Sequence, residues 1–190
     1  MTGLTPRSPR TMGVHPSTLG YGWAVFESPV APYDWGVSYA SGRATDKNAD
    51  CLTKVEAMLE RYQPETLVLE AFERRFSNRS SRMTLLGRSI AAMATARGIE
   101  VVIYTKGEVQ RYFETIGART RYEIATAISR QLDILRPQLP PKRKPWNGED
   151  YRMTLFSAAA LILTHYRTEA GRLLDELKGP KNPEKPQENA

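Results

Sequence analysis

The sequence predicts an α/β domain in which a mixed five-stranded sheet is flanked by helices. Three observations lead there: period-two apolar runs in the first forty residues, helix-spaced apolar residues from position 48, and short branched runs that then alternate with helical segments. At 190 residues the chain suits one packed domain better than two.

The first element is a strand over 11–15, turned through Pro16, Ser17, Thr18, Leu19 and Gly20 into a second strand over 21–27. Trp, Val and Tyr alternating with smaller residues give a third, adjacent strand over 35–40. Cys51 or Leu52, Val55, Met58, Leu59 and Tyr62 then recur at helical spacing, so 48–62 is an amphipathic helix with Asp46 or Asn48 as N-cap and Pro64 beyond its end. Thr66 to Leu69 is a short branched run that reads as a buried strand and delivers Glu70 at its C-terminal end, where ligands gather in parallel sheets. A helix over 77–96, a strand over 99–104 and helices over 106–114 and 120–135 follow. Residues 136–145 form a linker rich in proline and lysine, and a last helix over about 149–166 closes the domain. Residues 1–10 and 168–190 read as disordered tails around a domain of 11–167, the second being rich in Pro, Lys, Glu and Asn.

With 41% hydrophobic and 25% charged residues the chain falls in the globular class. Its longest apolar stretch, 156–163, is far short of the ~20 residues that cross a bilayer, and the N-terminus leads into no apolar signal segment, so the expected place is the cytoplasm, with no membrane partner. One cysteine and two histidines disfavour a Cys/His zinc site; any metal is expected on carboxylates, hence Mg²⁺ or Mn²⁺. The net charge is +6, and the cations gather mid-chain: Arg74, Arg75, Arg79, Arg82 and Arg88, then Arg97, Lys106, Arg111, Arg119, Arg121 and Arg130. A polyanion partner accounts for that clustering, because cations beside phosphates release condensed counterions; a solvated basic surface is the plainer alternative.

Three segments, in order, resemble motifs of the RuvC Holliday-junction resolvases, a branch of the RNase H-like fold. Gly13-Val14-His15-Pro16-Ser17-Thr18-Leu19-Gly20-Tyr21-Gly22 resembles the opening hairpin, with His15 where the family carries its first catalytic Asp. Leu67-Val68-Leu69-Glu70-Ala71-Phe72 resembles the strand bearing the catalytic Glu, with Phe72 and Phe76 near the family's base-stacking aromatic. Ala158-Ala159-Ala160-Leu161-Ile162-Leu163-Thr164-His165 resembles the final helix, whose two acidic or acidic/His positions fall on Thr154 and Ser157. Gly117-Ala118-Arg119-Thr120-Arg121 is similar to the basic turn that meets DNA phosphate, with Arg121 in place of a family lysine.

The resemblance implies a metal-dependent, structure-selective DNA endonuclease acting as a homodimer on branched DNA, with two divalent ions held on carboxylates. Glu70 is the best-placed ligand. An imidazole offers one lone pair to one metal where an Asp bridges two, so His15 stands as a ligand, a general base, or a residue that caps the hairpin. Asp150, Thr154 and Ser157 share a face if the last helix begins at 149, which makes Asp150 a candidate ligand about 10 Å before the family position. The other reading of Asp150 is an acid favoured by a helix N-terminus. Glu73 is a spare acid more at home beside arginines, and Asp34 is weakly placed. Arg79, Arg82, Arg119 and Arg121 are the expected phosphate contacts, and Phe72 or Phe76 the stacking residues, whereas Tyr112, Phe113, Trp146 and Tyr151 are expected in the core or an interface. The alternative function is a RuvC-like protein with impaired catalysis that binds branched nucleic acid without cutting it; a weaker third is a nuclease for RNA or mobile-element DNA.

Overall fold

A computed structural model describes residues 8–43, 45–72, 80–144 and 146–178. Three strands, β1 (Thr11–Pro16), β2 (Gly20–Ser28) and β3 (Ala31–Tyr39), form an antiparallel meander; β4 (Thr66–Glu70) and β5 (Glu100–Tyr104) extend it in parallel to give the order β3-β2-β1-β4-β5. The helices are α1 (Lys47–Tyr62), α2 (Ser81–Ala96), α3 (Lys106–Glu114), α4 (Arg121–Gln131) and α5 (Met153–Lys178). The mixed five-stranded sheet flanked by helices is therefore as the sequence predicts.

Side-chain alternation assigns the two faces. Met12 and Val14 of β1, Tyr21 and Val25 of β2, and Leu67 and Leu69 of β4 pack with Cys51, Val55 and Leu59 of α1 and with Leu86, Ile90 and Ala94 of α2. On the opposite face Ala24 and Phe26 of β2 meet Phe113, Ala125, Ile128 and α5, while Val68 meets Leu161. Because α5 crosses the middle of the sheet beneath α4, its residues from Met153 to Leu163 are apolar nearly all round and almost all buried. Capping boxes begin α3 and α4: Thr105 and Thr120 accept from the backbone of Glu108 and Glu123, whose carboxylates reach back to the cap N–H.

α5 sits against the sheet only because two strand residues lack side chains. A Cβ on Gly22 would lie 2.1 Å from the carbonyl carbon of Thr154, and one on Gly13 2.5 Å from the Ala158 carbonyl oxygen. Both are backbone obstacles that cannot rotate away.

Some boundaries differ from the sequence reading. α4 stops at Gln131 because Leu132 leaves helical geometry (φ −123°, ψ 85°), and a 3₁₀ turn over Asp133–Gln138, which carries Pro137, follows in place of helix to 135. The last helix starts at Met153, not 149, and runs past 166 to Lys178, so 168–178 is helix rather than tail; Glu169–Arg172 and Asp175–Lys178 pairs lace its exposed end. Arg10 belongs to the fold: its guanidinium grips Glu27 at 2.9 and 3.0 Å, and its carbonyl accepts from Glu65 N–H. The rest of the expected tails, 1–7 and 179–190, lies outside the described residues. Among the described residues no helix is long and apolar enough to cross a membrane.

Two outcomes test this packing. Gly22→Ala is expected to lower unfolding free energy in urea by about 1–3 kcal/mol or more through overpacking, whereas Gly171→Ala, whose Cβ meets nothing within 4 Å, should raise it by up to ~1 kcal/mol. His165 is buried on α5 beside the Tyr104 hydroxyl (3.3 Å), and burial lowers its pKa below the usual histidine value. The folded state thus binds its proton less readily than the unfolded chain, so stability is full above about pH 6.5 and falls as pH drops toward the folded pKa. Denaturation midpoints should decline between about pH 7 and pH 5, and His165→Gln should flatten that decline. The carboxylates held low, Glu108 by Thr105 and Asp150 by Arg152, add their own loss only at more acidic pH.

Candidate nucleic-acid interface

The parallel pairing of β1 with β4 places Val14 opposite Leu69, so the next residues, His15 and Glu70, emerge side by side at the C-terminal ends of their strands. Their parity matches Gly13 and Val68, which puts both on the α5 face. His15 Nε2 donates to Glu70 Oε2 at 3.1 Å, with both side chains mostly buried. The pair lies in a cleft of about 990 Å³ whose other walls include the β1–β2 turn (Ser17, Thr18, Leu19), the start of α3 (Lys106, Gln110), the start of α4 (Arg119, Thr120, Arg121), and the approach to and first turns of α5 (Glu149, Asp150, Tyr151, Thr154, Ser157).

Each wall is built by a local rule. Thr105 and Thr120 stop β5 and the preceding loop by capping, so Lys106 and Arg121 become the first residues of helices that open onto the cleft. Arg121 reaches across to α5: Nε and Nη2 donate to Ser157 Oγ at 3.1 and 2.9 Å, and Nη1 pairs with Glu149. Ser157 in turn donates to the Met153 carbonyl at 3.0 Å, and Thr154 is buried with its hydroxyl on the Tyr151 carbonyl at 2.7 Å. Asp150 is not on the helix. Its Oδ1 accepts from Arg152 N–H (2.9 Å) and Nε (3.0 Å), Oδ2 from Nη2 (2.8 Å), and the Arg152 guanidinium holds its carboxyl below the usual range. The shared helical face expected for Asp150, Thr154 and Ser157 is therefore corrected, although all three still line the cleft.

Of the expected residues, the structure brings together Glu70, His15, Asp150, Arg119 and Arg121. Phe72 is not among the residues that line the cleft: it is partly buried and its ring packs on α2, where a Cβ on Gly87 would come within 2.9 Å of it. Arg82 is likewise committed to the protein, donating to the Ser17 and Thr18 carbonyls (3.0 and 2.9 Å) and to Asn48 (2.9 Å), which pins the β1–β2 turn. Asp34 accepts from the Tyr62 hydroxyl at 2.5 Å, far from any chemistry expected of it. Phe76, Arg79 and Glu73 lie outside the described residues, as do Arg74 and Arg75. Sequence reasoning did not single out Lys106, Gln110 or Tyr151 for the cleft; the strand-end argument that found Glu70 applies equally to the end of β5 and would have reached Lys106.

The donor set does not match a two-ion cluster. Among the described residues no three His, Cys, Asp or Glu side chains converge closely enough to share an ion. Glu149 is paired with Arg121 and Asp150 with Arg152, and the α5 positions facing the cleft carry hydroxyls, one of them holding a guanidinium. A fixed cation there opposes a divalent ion and favours an anion.

Among solved structures the chain is similar to Thermus thermophilus RuvC, with TM-score 0.61 and 19% identity over 85% of this chain and 96% of that one. It is similar also to T. thermophilus RuvC in complex with Holliday junction substrate, with TM-score 0.62 and 19% identity over 86% and 96%. The yeast mitochondrial Holliday junction resolvase Ydc2 superposes at TM-score 0.49 and 14% identity over 87% and 85%. No family model and no curated protein matches the sequence. The chain has the RuvC-like fold that its motifs resemble.

Since an ion held by the native state raises the unfolding midpoint by mass action, melting in EDTA and in about 5 mM Mn²⁺ or Mg²⁺ is expected to give the same midpoint. A rise of several degrees, lost in Glu70→Gln, would show that a metal set is completed after all.

Proposed function

We propose that this chain, folded like RuvC, is a resolvase-type protein that binds branched DNA in the cleft around His15 and Glu70, with binding itself independent of metal. The observation that carries this reading is the Arg121 guanidinium fixed between Ser157 and Glu149, flanked by Lys106 and Arg119 in the same concave surface. Cations at the rim of a concave surface attract the phosphates of strands that converge at a branch, where charge density exceeds that of a linear duplex. The T. thermophilus RuvC complex with Holliday junction substrate supports the choice of DNA and of a branched form. A homodimer belongs to this reading, because a four-way junction is two-fold symmetric and two copies of one cleft match it isologously.

Phosphodiester hydrolysis in the same cleft is the second reading, favoured by the His15–Glu70 bond at 3.1 Å. A carboxylate beside an imidazole stabilises the imidazolium that forms when the ring takes a proton from water, which is the general-base half of such a reaction. Mg²⁺ or Mn²⁺, with Glu70 and His15 as ligands and Asp150 only after release from Arg152, belongs to this reading and not to the first.

The experiment is binding and cleavage of a labelled four-way junction, a fork and a linear duplex, each in EDTA and with Mg²⁺ or Mn²⁺, beside Glu70→Gln. Junction binding that survives EDTA without cutting is the expected outcome; metal-dependent cutting abolished by Glu70→Gln would put the second reading first, and no preference for branched DNA would sink both. Lys106→Ala and Arg119→Ala are each expected to weaken binding to all three DNAs alike and to reduce the slope of log K against log salt by about one.

A further inference from the structure

Between Pro140 and Tyr151 the chain leaves the core and returns to it beside the cleft. Leu139 packs against the α4–α5 core and Pro140 is buried, while at the other end the Tyr151 hydroxyl donates to the Ser38 carbonyl at 2.8 Å. Between these anchors Lys142, Arg143, Lys144 and Trp146 are exposed, ahead of the acids Glu149 and Asp150. A turn closed by Asn147 N–H on the Lys144 carbonyl (3.0 Å), and braced by Arg143 on the Asn147 carbonyl (2.9 Å), presents the indole. Trp146 is 78% exposed, so of the expected core or interface places the core is excluded. The Lys144 ammonium stands 5.7 Å from the ring centroid.

The fold gains almost nothing from this side chain, which is the largest apolar group the sequence can supply. A large aromatic face next to three cations and three residues from the cleft wall at Glu149 has the chemistry of a nucleic-acid contact. Duplex DNA hides its base faces in the stack, whereas a branch point or a single-stranded arm exposes them. An acidic peptide would satisfy the cations but offers a planar face only where it carries an aromatic side chain, whereas every unpaired base has one.

We propose that Lys142, Arg143, Lys144 and Trp146 form an arm at the rim of the cleft that stacks Trp146 on an unpaired base while the cations neutralise the flanking phosphates. The proposal rests on the branched-DNA reading. It assigns the recognition of unpaired bases to the segment before α5.

The test is anisotropy titration of the full chain with a fluorescent fork bearing single-stranded arms and with a blunt duplex of equal length. Trp146→Ala should weaken fork binding roughly tenfold while duplex binding stays within about twofold, and Trp146→Phe should keep most of the fork affinity. A triple Lys142→Ala, Arg143→Ala, Lys144→Ala variant should weaken both DNAs and lower the salt slope by about three. Because Trp146 is exposed, unchanged melting is expected for each variant. Equal fork affinity for Trp146→Ala and the parent, or equal losses on fork and duplex, overturns the arm and leaves the cleft reading standing. A parent chain that binds neither DNA overturns both.

Discussion

The approach of α5 to the sheet is the constraint on which the cleft depends. Gly13 and Gly22 let the backbone of Thr154 and Ala158 come closer than any side chain permits, and Gly22 is the cross-strand partner of His15. The start of α5 is therefore fixed against the same point of the sheet from which the His15 imidazole emerges. With α5 seated, Ser157 and Thr154 face the cleft, and α4, packed on α5, brings Arg121 within hydrogen-bonding distance of Ser157. A methyl group at either glycine would move the helix and, with it, one whole wall.

Electrostatics decides what that wall does. Among the described residues three carboxylates line the cleft, and each has a partner within the protein: Glu70 has His15, Glu149 has Arg121 and Asp150 has Arg152. A divalent ion needs several oxygens at once, and to recruit Glu149 or Asp150 it must first displace a guanidinium. Lys106 and Arg119 add positive charge to the same surface. The balance of the described residues thus favours an anion arriving from solvent over a cation held within.

Much of the fold was legible because its signals are local. The branched run at 66–69 and the helical spacing from Cys51 to Tyr62 each name one element, and each element is found. The site was half legible. Glu70 and His15 follow from strand ends and register, and their adjacency is observed. Asp150 misled because residues 150, 154 and 157 have helical spacing, yet an aspartate can satisfy the backbone N–H two residues on and hold the chain out of the helix, as Asp150 does with Arg152. The contacts of Phe72 and Arg82 were not legible for a different reason: whether an aromatic or a cation faces solvent or a neighbouring turn is set by tertiary packing, and no spacing along the chain encodes it.

The same physics gives meaning to the departures from a carboxylate-rich centre. A hydroxyl at 157 can accept from a guanidinium and donate to the Met153 carbonyl at once, so it holds Arg121 without adding charge. A carboxylate at that position would be a second anion on Arg121, beside Glu149, and would leave less positive potential in the cleft. Serine holds the guanidinium in place and adds no second anion beside its Glu149 partner. The hydroxyls of the last helix and the cationic rim are therefore two parts of one arrangement, in which α5 supplies the support and α4 supplies the charge.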